Sequence, residues 1–131
     1  MSQSYRRTNT TVSLINYHFI WIPRRRRKVL VGAVKNRVTE LIYDKATELD
    51  CKVVSLAVEP EHIHLFLNCF PDLAPKQIMR RIKGYSSYVL RKEFSHLKKM
   101  PSMWTRSYFV STAGNVSSST IEKYIAAQGK T

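Results

Sequence analysis

The stretch "EPEHIHLFLN", Glu59 to Asn68, holds two of the chain's four histidines, separated by one isoleucine. On an extended backbone successive side chains alternate, so His62, His64, Phe66 and Asn68 point one way while Ile63, Leu65 and Leu67 point the other. Both imidazoles then project from one face, close enough to hold a single metal ion. The same spacing also suits two half-exposed histidines on the outer side of a sheet. Near the C-terminus Tyr124 and Gln128 stand at i and i+4, which on a helix is a single face. That pair offers a phenol as nucleophile and an amide oxygen as third ligand. A mixed nitrogen and oxygen donor set suits a six-coordinate Mg²⁺ or Mn²⁺, with positions left for water and a substrate phosphate. The plainer alternative is a surface tyrosine and glutamine on an amphipathic helix whose apolar side is Ile121 and Ile125. His18, in the first strand, and His96, in a basic loop, have no ligand-like neighbours in sequence and fall outside the set.

The charge balance narrows the choice of partner. Lys and Arg number 22 against 9 Asp and Glu, a net charge of +13, and such a field attracts polyanions, nucleic acid above all and a membrane surface less so. Arg24, Arg25, Arg26, Arg27 and Lys28 form one contiguous basic run; Arg80, Arg81 and Lys83, with Lys76, form a second. Both are expected to contact phosphates, a solvated loop or helix face being the alternative. No apolar run approaches the roughly 18 residues that span a bilayer, and "MSQSYRRTNT" lacks the apolar region of a signal peptide, so a cytoplasmic protein is expected. Cys51 and Cys69 have apolar neighbours and no CxxC spacing, which implies buried free thiols rather than a disulfide or a metal pair.

A chain of 131 residues is one domain's worth, 1–131. "TVSLINYHFIWIP", Thr11 to Pro23, is β-branched and aromatic and stops at a proline, so it predicts a central strand. Val34, Val38, Leu41, Ile42 and Leu49 recur at helical spacing and place a helix that runs to about Asp50. "CKVVSLAVEP" and "HIHLFLNCF" flank a short turn at Pro60 and Glu61, the pattern of a hairpin. Asp72 is expected to cap a second helix with Pro75 in its first turn and a weak point at Gly84. "SYFVST", Ser107 to Thr112, reads as a fourth strand and ends a core of about 11–112. A polar joint at about 113–119 then leads to a helix of about 120–128, capped by one of Ser117 to Ser119. Strand, helix, strand, strand, helix, strand is an α+β, ferredoxin-like order: one antiparallel sheet with two helices on one face, plus the C-terminal helix carrying Tyr124.

"HIH", the later "YIAAQ" and the intervening "WTRSYFVSTAGNVS" resemble the single-tyrosine HUH transposases, TnpA type, of the smallest bacterial and archaeal insertion sequences. "YHFIWIPRRRRKVL" and "IKGYSS" are similar to further segments of that family, so the resemblance runs from about Tyr17 to Gln128. It implies His62 and His64 as metal ligands flanking Ile63, Gln128 as third ligand, Tyr124 as nucleophile, and Mg²⁺ or Mn²⁺ as cofactor. It further implies a 5′-phosphotyrosine intermediate on single-stranded DNA and recognition of hairpins at element ends. The implied partner is a second copy of the chain, each tyrosine helix completing the other subunit's histidine site. A nine-residue helix is marginal alone and must dock somewhere, although docking on its own subunit is the simpler geometry. A competing class is a non-enzymatic module for single-stranded nucleic acid on the same fold. It would leave the histidine pair without a purpose, and its strand signature of alternating glycine and aromatic residues is missing. A domesticated HUH nuclease acting on repeat hairpins is the other competitor. A two-histidine phosphodiesterase is excluded because no second HxT or HxS pair occurs.

Overall fold

In the computed structural model, which describes residues 4–112 together with Lys123, Ala126 and Ala127, the chain opens with a small hairpin of β1 (Arg6–Arg7) against β2 (Val12–Ser13). There follow β3 (Ile15–Trp21), α1 (Gly32–Glu48), β4 (Lys52–Glu59), β5 (His62–Cys69), α2 (Pro75–Glu93) and β6 (Phe109–Ser111). Strands β3 to β6 form one four-stranded sheet in the order β4-β5-β3-β6, every neighbouring pair antiparallel. This is the expected α+β, ferredoxin-like order. Among the described residues no helix is long and apolar enough to cross a membrane.

Alternation gives the sheet a main apolar face and leaves a smaller cluster, Ile20 and Ile22 with Phe109, on the other. Phe19 and Trp21 of β3 join Ile63, Leu65 and Leu67 of β5 in a single buried cluster with Val34, Val38, Leu41 and Ile42 of α1 and Ile78, Met79, Ile82 and Leu90 of α2. Both helices therefore cover the same side of the sheet. Trp104 closes the cluster edge-on to Trp21, with ring centroids 6.0 Å apart. Its indole Nε1 donates to Ser86 Oγ at 3.1 Å, and that hydroxyl donates in turn to Ile82 O at 2.7 Å. Cys51 and Cys69 are buried free thiols, facing each other across β4 and β5 with Sγ atoms 3.4 Å apart.

Several boundaries differ from the sequence expectation. The Thr11–Pro23 run is not one strand: Val12 and Ser13 pair with Arg7 and Arg6, and β3 begins after Leu14. What decides this is remote in sequence. The Arg6 guanidinium donates to Asn68 Oδ1 and O and lies 4.0 Å over the Phe70 ring, which docks the hairpin on the end of β5. Asp72 does not cap α2. The N-cap is Ala74, whose backbone N–H donates to Gln77 Oε1 at 2.8 Å, with Pro75 next. Helix α2 runs unbroken through Gly84, where a Cβ would meet nothing within 4 Å. Helix α1 stops at Glu48 because Asp50 takes a left-handed φ of +59°, and the Cys51 N–H closes the turn on Ala46 O at 2.8 Å. The expected joint at 113–119 and most of the 120–128 helix, Tyr124 and Gln128 included, lie outside the described residues; Lys123, Ala126 and Ala127 are helical.

Leu65 is fully buried between the two helices' contributions to the core. Leu65→Ala is expected to cost about 2–5 kcal/mol, through lost transfer energy and the cavity left behind. Urea unfolding checks this as a lowered midpoint at unchanged slope.

Candidate active site

The face of the sheet opposite the helices carries the histidines. Burying Ile63, Leu65 and Leu67 sends His62 and His64 to the other side of β5, as the alternation requires. Their ring centroids are 4.8 Å apart and their planes are nearly perpendicular at 75°. Each ring is held by a neighbour through the same atom. His62 Nδ1 lies 2.8 Å from Glu61 Oε1, and His64 Nδ1 lies 3.4 Å from His18 Nε2. Each histidine is thus left with Nε2 for a ligand, the arrangement in which an outer partner orients a metal-binding imidazole.

The electrostatics favour neutral imidazole at His64. Burial comes first, then repulsion from His62 and His18, and together they lower its pKa to about 4. A neutral ring has the lone pair a cation needs. Burial pushes the Glu61 carboxyl up, but the hydrogen bond and charge of His62, with the charge of Arg26, outweigh it and leave Glu61 below its ordinary value. Among the described residues no three His, Cys, Asp or Glu side chains form a group that could hold a metal ion. The pair therefore suits a cation only with a further donor, and the residues expected to supply the nucleophile and that donor, Tyr124 and Gln128, lie outside the described residues. Sequence reasoning missed Glu61 and His18. Adjacency in the turn before β5 could have flagged Glu61 as a neighbour of His62, whereas His18 is brought in only by strand register.

The basic residues divide by what their charges already touch. Arg24–Arg26 make a 3₁₀ turn at the end of β3, with Arg25 and Arg26 at φ of +57° and +55°. The turn is tied down by Arg24 N–H donating to Met103 O at 3.0 Å and by Arg24 Nη1 donating to Ser102 Oγ at 3.3 Å. Leu30 N–H donates to Pro60 O at 3.1 Å, so the segment passes beside the β4–β5 turn next to His62. Arg25, Arg26, Arg27 and Lys28 are exposed there. On α2, Arg80 is exposed and Arg81 Nη2 donates to Glu48 Oε1 at 3.0 Å.

Lys83 corrects the sequence expectation. Its Nζ donates to the carbonyl oxygens of Thr105, Arg106 and Ser107 at 2.7, 3.1 and 3.2 Å, which uses all three ammonium protons. It braces the segment leading into β6 rather than offering itself to a phosphate. Burial lowers its pKa to about 8, and the three carbonyls favour the charged form at neutral pH. A lysine's long stem allows this inward turn from a basic helix face, which residue type alone does not reveal.

The site is thus a histidine pair beside a basic turn, on an α+β sheet whose other face is packed by two helices. Residues 11–128 match the family described as "Transposase IS200 like", and the chain belongs to that family, the single-tyrosine HUH transposases of TnpA type. It is 30% identical over 117 residues to the ISDra2 transposase TnpA of Deinococcus radiodurans, covering 87% of this chain and 84% of that protein. It is 27% identical over 115 residues to the transposase for insertion sequence element IS200 of Salmonella typhimurium, covering 86% of this chain and 75% of that protein. A crystal structure of a candidate transposase from Deinococcus radiodurans superposes with a TM-score of 0.87 at 30% identity, over 94% of this chain and 97% of that one. A REP-associated tyrosine transposase bound to a REP hairpin shares the fold, with a TM-score of 0.57 at 19% identity, over 98% of this chain and 70% of that one.

Lys83→Met is expected to lower stability by about 1–3 kcal/mol, because it strips three carbonyls, two of them in part-buried contacts, of their donor. Arg25→Ala and Arg27→Ala, at exposed positions, are expected to stay within about 0.5 kcal/mol of the parent. Urea melts of the three variants separate brace from surface charge. His64 adds an acid dependence: its folded pKa of about 4 lies below its ordinary 6.5, so the stability it contributes is present above pH 6.5 and is lost as pH falls towards 4. After allowance for solvent screening the loss is on the order of 1–2 kcal/mol. Urea melts at neutral pH and near pH 4 should show it in the parent and much less in His64→Gln.

Proposed function

We propose that this chain cleaves and rejoins single-stranded DNA at hairpins bordering an insertion sequence, through a 5′-phosphotyrosine intermediate on Tyr124. One observation supports this above the rest: His62 and His64 stand side by side on the face of the sheet opposite the helices, each with Nδ1 engaged inside the protein. Family membership makes DNA strand cleavage and transfer the activity to expect, and a neighbour of the same fold is bound to a REP hairpin. A merely DNA-binding module has no use for two oriented imidazoles.

In this proposal His62, His64 and Gln128 hold Mg²⁺ or Mn²⁺, whose mixed N/O preference the donor set meets. When bound, the ion polarises the scissile phosphate and neutralises charge that develops on its oxygens. Tyr124 does the covalent work. A phenol with an ordinary pKa near 10 is a weak nucleophile at neutral pH, so its gain comes from being held in line with the phosphorus. The phenolic oxygen bonds to phosphorus as the bond to the departing 3′-oxygen breaks, leaving a free 3′-OH strand and a 5′-phosphotyrosine. Because the ester bond is conserved, a 3′-OH can attack it and release Tyr124, rejoining strands without ATP. Arg24 to Lys28 approach DNA phosphates at the histidine end of the sheet, with Arg80 on α2 as a further contact. Two subunits exchange their C-terminal helices, so that Tyr124 of one serves His62 and His64 of the other.

Incubation with an end-labelled single-stranded hairpin from the flanks of its own gene tests the chemistry. A denaturant-resistant adduct that requires Mn²⁺ or Mg²⁺ is expected from the parent. Tyr124→Phe is expected to bind the hairpin and form no adduct; normal cleavage by it would remove Tyr124 from the mechanism. Tight hairpin binding by the parent with no adduct, on DNA that includes the element's ends, favours the binding module. For the dimer, mixing Tyr124→Phe with His64→Ala is expected to restore adduct formation. Inactivity of demonstrated heterodimers would return the tyrosine helix to its own subunit.

A further inference from the structure

We propose that His18 is a positioning residue for His64: its Nε2 accepts the His64 Nδ1 proton, so that the His64 Nε2 lone pair is kept for the divalent cation. This rests on the metal-assisted activity proposed above. In the β3–β5 register Ile20 lies opposite His64 and His18 opposite Phe66. That puts His18 on the diagonal from His64, on the same face of the sheet, where long and aromatic side chains still meet. His64 Nδ1 and His18 Nε2 are 3.4 Å apart, and the rings are 5.6 Å apart at their centroids with a tilt of 31°. Phe66 flanks His18 at 6.1 Å.

The two facing nitrogens, 3.4 Å apart, have room for one proton between them. If His18 donates it, His64 carries its own proton on Nε2, and that nitrogen is closed to a cation. If His64 donates it, Nε2 is open. A cation on His64 selects the second arrangement, and the acceptor on His18 makes that arrangement available in a half-buried site. Packing does not account for the imidazole at position 18. Its Nδ1 is buried and has no hydrogen-bond partner among the described residues, whereas a phenylalanine would fill the space beside Phe66 with no orphaned polar atom. Glu61 stands in the same relation to His62, engaging its Nδ1 at 2.8 Å. The two ligands thus have two separate outer partners, one from the β4–β5 turn and one from β3.

The test is Mn²⁺ titration of the intact chain, with free ion read by electron paramagnetic resonance, for the parent, His18→Phe and His18→Gln. A glutamine Oε1 can take the place of Nε2 as acceptor; a phenylalanine has none. His18→Phe is expected to weaken Mn²⁺ binding by on the order of 10–100-fold. His18→Gln is expected to recover most of that, with hairpin binding in EDTA as in the parent. Should His18→Phe unfold, His18→Asn replaces it, because its shorter amide stops short of His64. Equal Mn²⁺ affinity in the parent and His18→Phe would overturn the positioning role and leave the metal-assisted reading standing. Equal losses in the Phe and Gln variants, with hairpin binding lost as well, would assign His18 to packing. A parent that binds no Mn²⁺ would overturn the metal-assisted reading and this role with it.

Discussion

Strand β5 alternates, and the rest of the site follows from that. Ile63, Leu65 and Leu67 have to be buried, because they complete the large apolar cluster that α1 and α2 cover. A pleated backbone then has no freedom over where His62 and His64 go. The hydrophobic effect, acting on three aliphatic side chains, thus fixes the direction of two polar ones. A slip of one residue in the β5 register would exchange the faces and bury both imidazoles under the helices. The seven-residue ladder between β3 and β5 and the pairing of β5 with β4 on its other edge hold the strand against such a slip. The core and the candidate catalytic face are therefore two consequences of one constraint.

Around the histidine pair, two stretches of the chain far apart in sequence, β3 with the turn that follows it and the turn that opens β5, arrive at one place. Glu61 comes from the turn that begins β5, His18 from the middle of β3, and the basic turn from the residues that leave β3. Their contributions are chemically distinct. Glu61 and His18 engage ring nitrogens, while Arg26 is close enough to act on the Glu61 carboxyl. A carboxylate near an arginine and a histidine stays ionised, so it can go on accepting from His62 Nδ1. The exposed guanidinium groups of the turn keep their charge for a polyanion. Such an end of a sheet combines a pair of oriented imidazoles with exposed positive charge.

Not every cation on a protein of net charge +13 belongs to that field. Lys83 and Arg81 sit on the same helix within three positions, yet one turns inward to three carbonyls and the other pairs with Glu48 on α1. Arg37 likewise holds Glu93 with two hydrogen bonds, of 2.8 and 3.0 Å, joining α1 to α2. Structural cations of this kind stabilise the helix layer and the approach to β6. Arg25, Arg26, Arg27 and Lys28, by contrast, are exposed.

By itself the sequence determined the element order, the ferredoxin-like architecture, the free thiols and the common face of His62 and His64. All of these rest on local periodicity or residue type, which every window of the chain carries. Motif resemblance added the family and pointed to Tyr124 and Gln128, a matter of pattern rather than packing. Tertiary structure alone decided that His18 belongs beside His64, that Arg6 pulls an N-terminal hairpin out of the first apolar run, and that Lys83 is a brace. Each depends on a partner between 22 and 62 residues away in sequence. Register and side-chain direction join such partners, and neither is written in any local stretch.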